Sequence, residues 1–257
     1  MNSQLEQVVN NNSVIIGITG RKRSGKDTIG KYLVENYGFV RVAFADALKE
    51  ACKIIFGFSD EQVYGDDLKE IIDEYWSHSP REILQKVGSE LFRDQLPKVC
   101  ENIGKDIWIR SVDRKIKNLQ KQGFNRFVVT DVRFPNELDF IKEHHNGRVW
   151  KVTRKMNKKQ KIDENDKNQC EKQSDIVHQS ETAHQSEAMI DEFESDAIID
   201  NTSTLEKLYN VAQELVQELL QEQEILEQEQ VSEQVSEQVS EQVSEQVSEQ
   251  VSEQVSE

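Results

Sequence analysis

Val14-Ile15-Ile16-Gly17-Ile18-Thr19-Gly20-Arg21-Lys22-Arg23-Ser24-Gly25-Lys26-Asp27-Thr28 is the stretch on which the fold turns. An apolar, strand-like run enters a basic loop bounded by glycines. A helical pattern, Ile29-Gly30-Lys31-Tyr32-Leu33-Val34, leaves it. Strand, Gly-Lys loop, then helix is the context that makes a phosphate-binding loop credible. Backbone N–H groups of such a loop point inward at phosphate oxygens, and the following helix N-terminus adds partial positive charge. Lys26 is placed to reach the β- and γ-phosphates of a nucleoside triphosphate, with Lys22, Arg23, Gly25, Asp27 and Thr28 around it. A Ser or Thr usually follows the lysine and binds Mg²⁺ through its hydroxyl. Here Asp27 holds that position, so the expected metal ligand is a carboxylate, directly or through water.

Working outward, strand and helix patterns alternate. Strands are expected at Val14–Thr19, Phe39–Phe44, Arg126–Val132, Arg148–Thr153 and Asp196–Asp200. Helices are expected at Lys26–Tyr37, Asp46–Phe56, Pro80–Gln95, Ile107–Gln122, Pro135–His145 and Thr204–Leu220. Such alternation implies an α/β fold with a mainly parallel sheet covered on both faces, and ligands at the carboxyl ends of the strands.

Composition sets bounds. The 257 residues carry a formal charge of −16, against the basic face that a nucleic-acid coat requires. The stretch from Gln221 to Glu257 holds eleven Glu and no Lys or Arg; subtracting those eleven from −16 leaves −5 on the remainder. Local charge at Arg21, Lys22, Arg23 and Lys26 must therefore attract an anion. Cys52, Cys100 and Cys170 show no metal-ligand spacing, which favours a reducing compartment, the cytoplasm. No apolar run is long enough to span a membrane. The polar segment 1–12 reads as a disordered head, 13–220 as the folded domain, and about 155–192 as a polar, lid-like insert. The segment 221–257, dominated by a Val-Ser-Glu-Gln repeat, reads as disordered or as a helix continuing from Leu220.

Three further segments carry chemistry. Phe127-Val128-Val129-Thr130-Asp131-Val132-Arg133-Phe134-Pro135-Asn136-Glu137 delivers Asp131 to the sheet's carboxyl edge, where a carboxylate suits Mg²⁺ held with several waters. Arg133 can face developing phosphoryl charge, or pair with Glu137 across one helical turn. Ser79-Pro80-Arg81-Glu82 reads as a capping box. On its helix Ile83, Leu84, Val87 and Leu91 form the core stripe, and Arg81, Gln85 and Gly88 share a neighbouring face. A mid-helix glycine costs about 1 kcal/mol, so either a ligand or a packing partner approaches Gly88. Asp46 reads as a helix N-cap and Lys49 as a surface charge or a substrate contact. Trp108 is expected to be core more than a stacking platform.

Taken in order, Gly20–Thr28, Phe44–Glu50, Ser79–Gly88, Asp106-Ile107-Trp108, Thr130–Glu137 and His184-Gln185-Ser186-Glu187 resemble the deoxynucleoside monophosphate kinases of phages and large DNA viruses. The resemblance spans Val14 to about Leu220. It implies a P-loop kinase sandwich with five parallel strands in the order 2-3-1-4-5. It implies transfer of the ATP γ-phosphoryl group to a deoxynucleoside monophosphate (dNMP), with Mg²⁺, in the host cytoplasm if the chain is viral. Lys22, Arg23, Gly25, Lys26, Asp27 and Thr28 would hold ATP and metal; Lys22, Lys49, Arg81, Gln85, Gly88, Trp108, Arg133 and Glu137 would line the acceptor site; Lys26, Asp131 and Arg133 would act in the reaction. A homodimer and a partner for the tail are left open. The rivals are another P-loop kinase, of phosphomevalonate or dephospho-coenzyme A, and a nucleotide-binding interaction protein.

Overall fold

The computed structural model describes residues 13–101, 103–154, 190 and 192–254. Expectations on the head 1–12, on the insert over 155–189, on Cys170 and on both His-Gln-Ser-Glu units lie outside the described residues. The chain forms two compact units, Met1–Ala212 and Gln213–Glu257.

Five parallel strands, β1 (Val14–Thr19), β2 (Val40–Val42), β3 (Arg126–Val132), β4 (Arg148–Thr153) and β5 (Ala197–Asp200), form one sheet in the order β2-β3-β1-β4-β5. The resemblance implied this order. All six residues of β1 are buried, as expected for a strand covered on both faces. Pairing of β1 with β3 slips between Gly17↔Val129 and Thr19↔Val132. One extra residue of β3 is accommodated there, beside the carboxyl edge, and the Thr19 hydroxyl donates to the Val132 carbonyl at 2.9 Å to close the irregularity.

Helices α1 (Lys26–Tyr37) and α2 (Asp46–Phe56) begin and end where their patterns predict, each followed by a left-handed glycine, Gly38 or Gly57. α1 buries Ile29 and Leu33, and its Tyr32 stacks on Tyr209 at 4.5 Å. α2 buries Leu48 and Cys52 in the main core with Ile15, Phe127, Val129 and Trp108. Asp46 is the first residue of α2 and not its cap; its carboxylate pairs instead with Arg41 at 3.3 Å and Lys115 at 3.1 Å.

Other expectations are corrected. β2 is three residues long, because Phe44 turns away to bond Asp131. A short helix, α3 (Asp60–Tyr64), and a single 3₁₀ turn (Leu68–Glu70) fill a region with no expected element. The Ser59–Gln62 pair forms a complete capping box for α3, a signal that the sequence carries plainly. The helix expected over Pro80–Gln95 is α-helical only as α4 (Pro80–Gln85); Lys86–Gln95 is π-helical, and α5 (Leu96–Val99) follows. At the start of α4 half of the box is made, Ser79 accepting from the Glu82 N–H at 3.2 Å, while the Glu82 carboxylate pairs with Lys86.

The π register changes which side chains face inward. Bonding from i to i+5 aligns residues five apart. Ile83 and Leu84 are buried as expected, but Leu91 is 52% exposed, and Phe92 packs against the core in its place. Beyond these lie α6 (Ile107–Gln120) and α7 (Pro135–Asp139), which passes into a second π segment, Phe140–His144. Last is α8 (Leu205–Gln254), whose early residues Leu208 and Ala212 are buried. The Val-Ser-Glu-Gln repeat is thus helical as far as Gln254, the second of the two states expected for it.

Candidate active site

Because β1 and β3 are parallel neighbours, the loop after β1 and the turn after β3 emerge side by side. In the loop, Gly25 has φ +110°, and a Cβ there would lie 2.5 Å from the Asn201 Nδ2 atom. Only glycine fits both constraints. Asn201, just past β5, donates that amide to the Ser24 carbonyl at 2.8 Å and so pins the loop. Arg23 takes φ +61°, a left-handed conformation that costs a non-glycine residue about 1 kcal/mol. Ser24 is buried, and its hydroxyl has no hydrogen-bond partner among the described residues. The left-handed bends, the helix N-terminus and this unsatisfied hydroxyl fit a loop that closes on phosphate oxygens. Lys26, buried, donates to the carbonyls of Gly20 and Arg21, each at 2.7 Å, inside the same loop.

Two cavities flank the loop and share Arg23, Lys26 and Asp27. One, of about 360 Å³, is walled by Thr28, Arg154, Asn201, Ser203, Leu205 and Leu208. The other, of about 390 Å³, takes in all eight acceptor residues expected from sequence, Lys22, Lys49, Arg81, Gln85, Gly88, Trp108, Arg133 and Glu137, with Asp131. It adds Arg41, Tyr64, Asp66, Lys69, Arg93 and Phe134, which the sequence reading did not single out. Nine Lys or Arg face four Asp or Glu in this wall, so the cavity is locally cationic in an acidic chain.

The residues differ in how they serve the site. Asp131 accepts the N–H groups of Phe44 (2.9 Å) and Ala45 (3.0 Å), one on each carboxylate oxygen, tying the end of β3 to the start of α2. Burial raises its pKa, while the two amides and Arg133 oppose the rise. Glu137 is 2% exposed. One of its oxygens caps α7 by accepting the N–H groups of Arg133 (2.9 Å) and Phe134 (3.2 Å). The other accepts from Arg93 Nη2 at 2.9 Å. Of the two alternatives for Arg133, the side-chain pair with Glu137 gives way to a backbone cap. Glu137 positions the turn, and its oxygens are engaged. Burial, with the nearby Asp131 charge, pushes its pKa up to about 7.

Arg93 is the clearest residue missed. On an α-helix it would lie well off the Gly88 face; with i to i+5 spacing it joins that face. Its guanidinium lies 4.1 Å from the centre of the Phe134 ring, and its partner Glu137 holds it in the wall. Gly88 and Trp108 line the cavity as one packed unit. A Cβ on Gly88 would meet Leu48 Cδ2 at 2.6 Å, so the glycine makes room for a core leucine, the packing alternative. Trp108 is buried, and its indole N–H donates to the Gly88 carbonyl at 3.1 Å while its ring packs on Phe92. It is part of the wall and fixes the Gly88 backbone there. Lys49 lies 4.5 Å above the Tyr64 ring, and burial lowers its pKa. Lys69 donates to the Val63 carbonyl at 2.9 Å; burial, then the charges of Lys49, Arg81 and Arg133, bring its pKa down to about 8. Four cations that repel one another in one wall form an arrangement that an anion stabilises.

Among the described residues no cluster of three His, Cys, Asp or Glu could hold a metal ion alone. Mg²⁺ takes few protein carboxylates and completes its shell with waters and substrate phosphates, and exposed Asp27, on the wall of both cavities, has the chemistry for such a role. No described helix is long and apolar enough to cross a membrane.

The family profile for deoxynucleotide monophosphate kinase matches residues 14–77. An inferred deoxynucleotide monophosphate kinase of Acanthamoeba polyphaga mimivirus is 44% identical over 133 residues, 51% of this chain and 69% of that protein. Among solved structures, a dephospho-CoA kinase from Campylobacter jejuni is 20% identical, covering 80% of this chain and 97% of the other at TM-score 0.41. A shikimate kinase from Acinetobacter baumannii is 11% identical, covering 82% and 94% at TM-score 0.38. Likenesses at that level bear on neither substrate nor site. The match to the family profile and the extent of the mimivirus identity settle the assignment: this chain belongs to the deoxynucleotide monophosphate kinase family.

Proposed function

We propose that the chain transfers the γ-phosphoryl group of ATP to the 5′-phosphate of a dNMP, giving ADP and the deoxynucleoside diphosphate. The observation that carries the reading is the meeting of a phosphate-binding loop with Lys49, Lys69, Arg81 and Arg133 in one cationic cavity at the sheet's carboxyl edge. The second cavity, beside Thr28 and Asn201, is the place for the donor nucleoside. The loop between them then holds the phosphates being exchanged.

In the reaction an acceptor phosphate oxygen forms the new bond to the γ-phosphorus. The bond to the β–γ bridging oxygen breaks, and its electron pair leaves with ADP. The acceptor is already close to a dianion at neutral pH, so no general base is needed. Catalysis reduces to positioning and charge neutralisation. Lys26 exchanges the Gly20 and Arg21 carbonyls for oxygens of the β- and γ-phosphates. Arg133, exposed in the wall just past β3, faces charge on the group in transit. Asp131 holds the β2–α2 connection, and through it Lys49, in register with the loop. Asp27 and Asp131 would hold Mg²⁺, which would supply further neutralisation of the triphosphate.

The test is ADP release from ATP with a panel of dNMPs, dephospho-coenzyme A and phosphomevalonate. Stimulation by dNMPs alone is expected, and Lys26→Ala should abolish it with the fold retained. Turnover that survives Lys26→Ala would remove the loop from the mechanism. Stimulation by one of the other two acceptors instead would replace the substrate.

A further inference from the structure

Two cations of the acceptor set expected from sequence, Lys22 of the loop and Arg81 of α4, converge on one carboxylate of the protein itself. Arg81 Nε donates to Glu70 Oε1, and Lys22 Nζ lies 3.9 Å from the same oxygen. Lys22 and Arg81 both line the larger cavity. A carboxylate held between a guanidinium and an ammonium satisfies the same donors that a phosphate oxygen would.

Glu70 ends the single 3₁₀ turn Leu68–Glu70, and its surroundings fix where it points. On one side Lys69 is tied to the Val63 carbonyl. On the other, the Asp73 side chain accepts the N–H groups of Tyr75 (3.1 Å) and Trp76 (3.2 Å) and the Gln62 amide (3.2 Å). The Trp76 indole anchors that end by donating to the Phe56 carbonyl at 2.8 Å. The turn is therefore held at both ends, and Glu70 is presented to the cations between them. Its side chain is 46% exposed, so the carboxylate can be displaced into water at little desolvation cost.

We propose that Glu70 is an internal stand-in for the acceptor phosphate and sets acceptor affinity: an incoming 5′-phosphate that engages Arg81 and Lys22 must displace this carboxylate. The proposal rests on the acceptor site described above. It differs from a purely supporting role, in which Glu70 would aim Arg81 and its loss would weaken acceptor binding.

Steady-state kinetics of the full chain, with dNMP varied at saturating ATP, separate the two. Glu70→Gln keeps the size and removes the charge. The KM for dNMP should fall about two- to fivefold, the worth of one partly exposed ion pair, while the KM for ATP moves less than twofold. The difference from wild type should shrink as ionic strength rises to about 0.5 M. Glu70→Asp, with a shorter reach, should lie between the two. A KM for dNMP that rises or stays put in Glu70→Gln, while Arg81→Ala raises it, overturns the role of Glu70 and leaves the acceptor site standing. No effect of Arg81→Ala, or no dNMP-dependent ADP from wild type, overturns the acceptor site and Glu70 with it.

Discussion

Arg93→Ala should destabilise the protein in a way that depends on pH, and the size follows from Glu137. In the wild type Glu137 is 2% exposed and its pKa is pushed up to about 7, whereas in an unfolded chain it titrates near 4.3. Between those values the folded state binds the extra proton, so this group's contribution to stability falls as pH rises toward 7. Arg93 is one of the influences holding that pKa down, so its removal moves the pKa higher still. At pH 6 the carboxyl is mostly protonated in both proteins. The penalty there is the lost guanidinium packing on Phe134, about 1 kcal/mol. At pH 8.5 the wild-type group is ionised beside its arginine, and the variant must either ionise without it or retain a proton. If the variant's pKa exceeds 8.5, the added penalty is about 1.36 kcal/mol per pH unit over 1.5 units, or about 2 kcal/mol. The total, about 3 kcal/mol, lies at the lower end of what breaking a buried ion pair costs. Urea unfolding followed by tryptophan fluorescence is the assay, because Trp108 packs on Phe92, the neighbour of Arg93. A penalty equal at pH 6 and pH 8.5 to within 0.5 kcal/mol, or larger at pH 6, refutes this account of the pair.

Three further outcomes are expected. The Lys69 ammonium, with its pKa down at about 8, is charged below that pH and neutral above it, so the KM for dNMP should rise between pH 7.5 and 9 and stay flat in Lys69→Arg; a rise that persists in Lys69→Arg assigns it elsewhere. The same depressed value means that the unfolded chain holds this proton to higher pH, so Lys69 adds stability as pH climbs from about 8 toward 10. Asn201→Ala removes the amide that pins the Ser24 carbonyl, a loss of about 1 kcal/mol, and should raise the KM for ATP about fivefold with little change for dNMP; an equal rise for both substrates would mean that the whole site has loosened.

The fold was legible where local signals agree with one another. α1 and α2 run between a loop or turn and a left-handed glycine, and their limits were readable to the residue. The region from Asp60 to His78 was not readable as structure. Its elements are three to five residues long, too short for a period to show, and the Ser59–Gln62 box was the one strong local signal there. Lys69 and Glu70 went unnoticed for that reason, inside a charged run that looks like solvated surface. Arg93 was hidden by a different cause. The count of 3.6 residues per turn placed Leu91 in the core and turned Arg93 away, and the π register reverses both assignments.

The sequence alone determined the phosphate-binding loop and the alternation of strands and helices, because each rests on spacing within a few residues, and its motifs, through the resemblance they carry, named most of the cationic residues of the larger cavity. Only the tertiary structure decided what those residues do for one another. Gly88 clears space for Leu48, Trp108 secures the Gly88 carbonyl, Glu137 caps a helix and holds Arg93, and Glu70 joins Lys22 to Arg81. Apart from the local Glu137 cap, these pairings link positions well separated in the chain. Desolvation and charge act through space, so a carboxylate's role is set by the partners that burial brings to it and not by its neighbours in sequence.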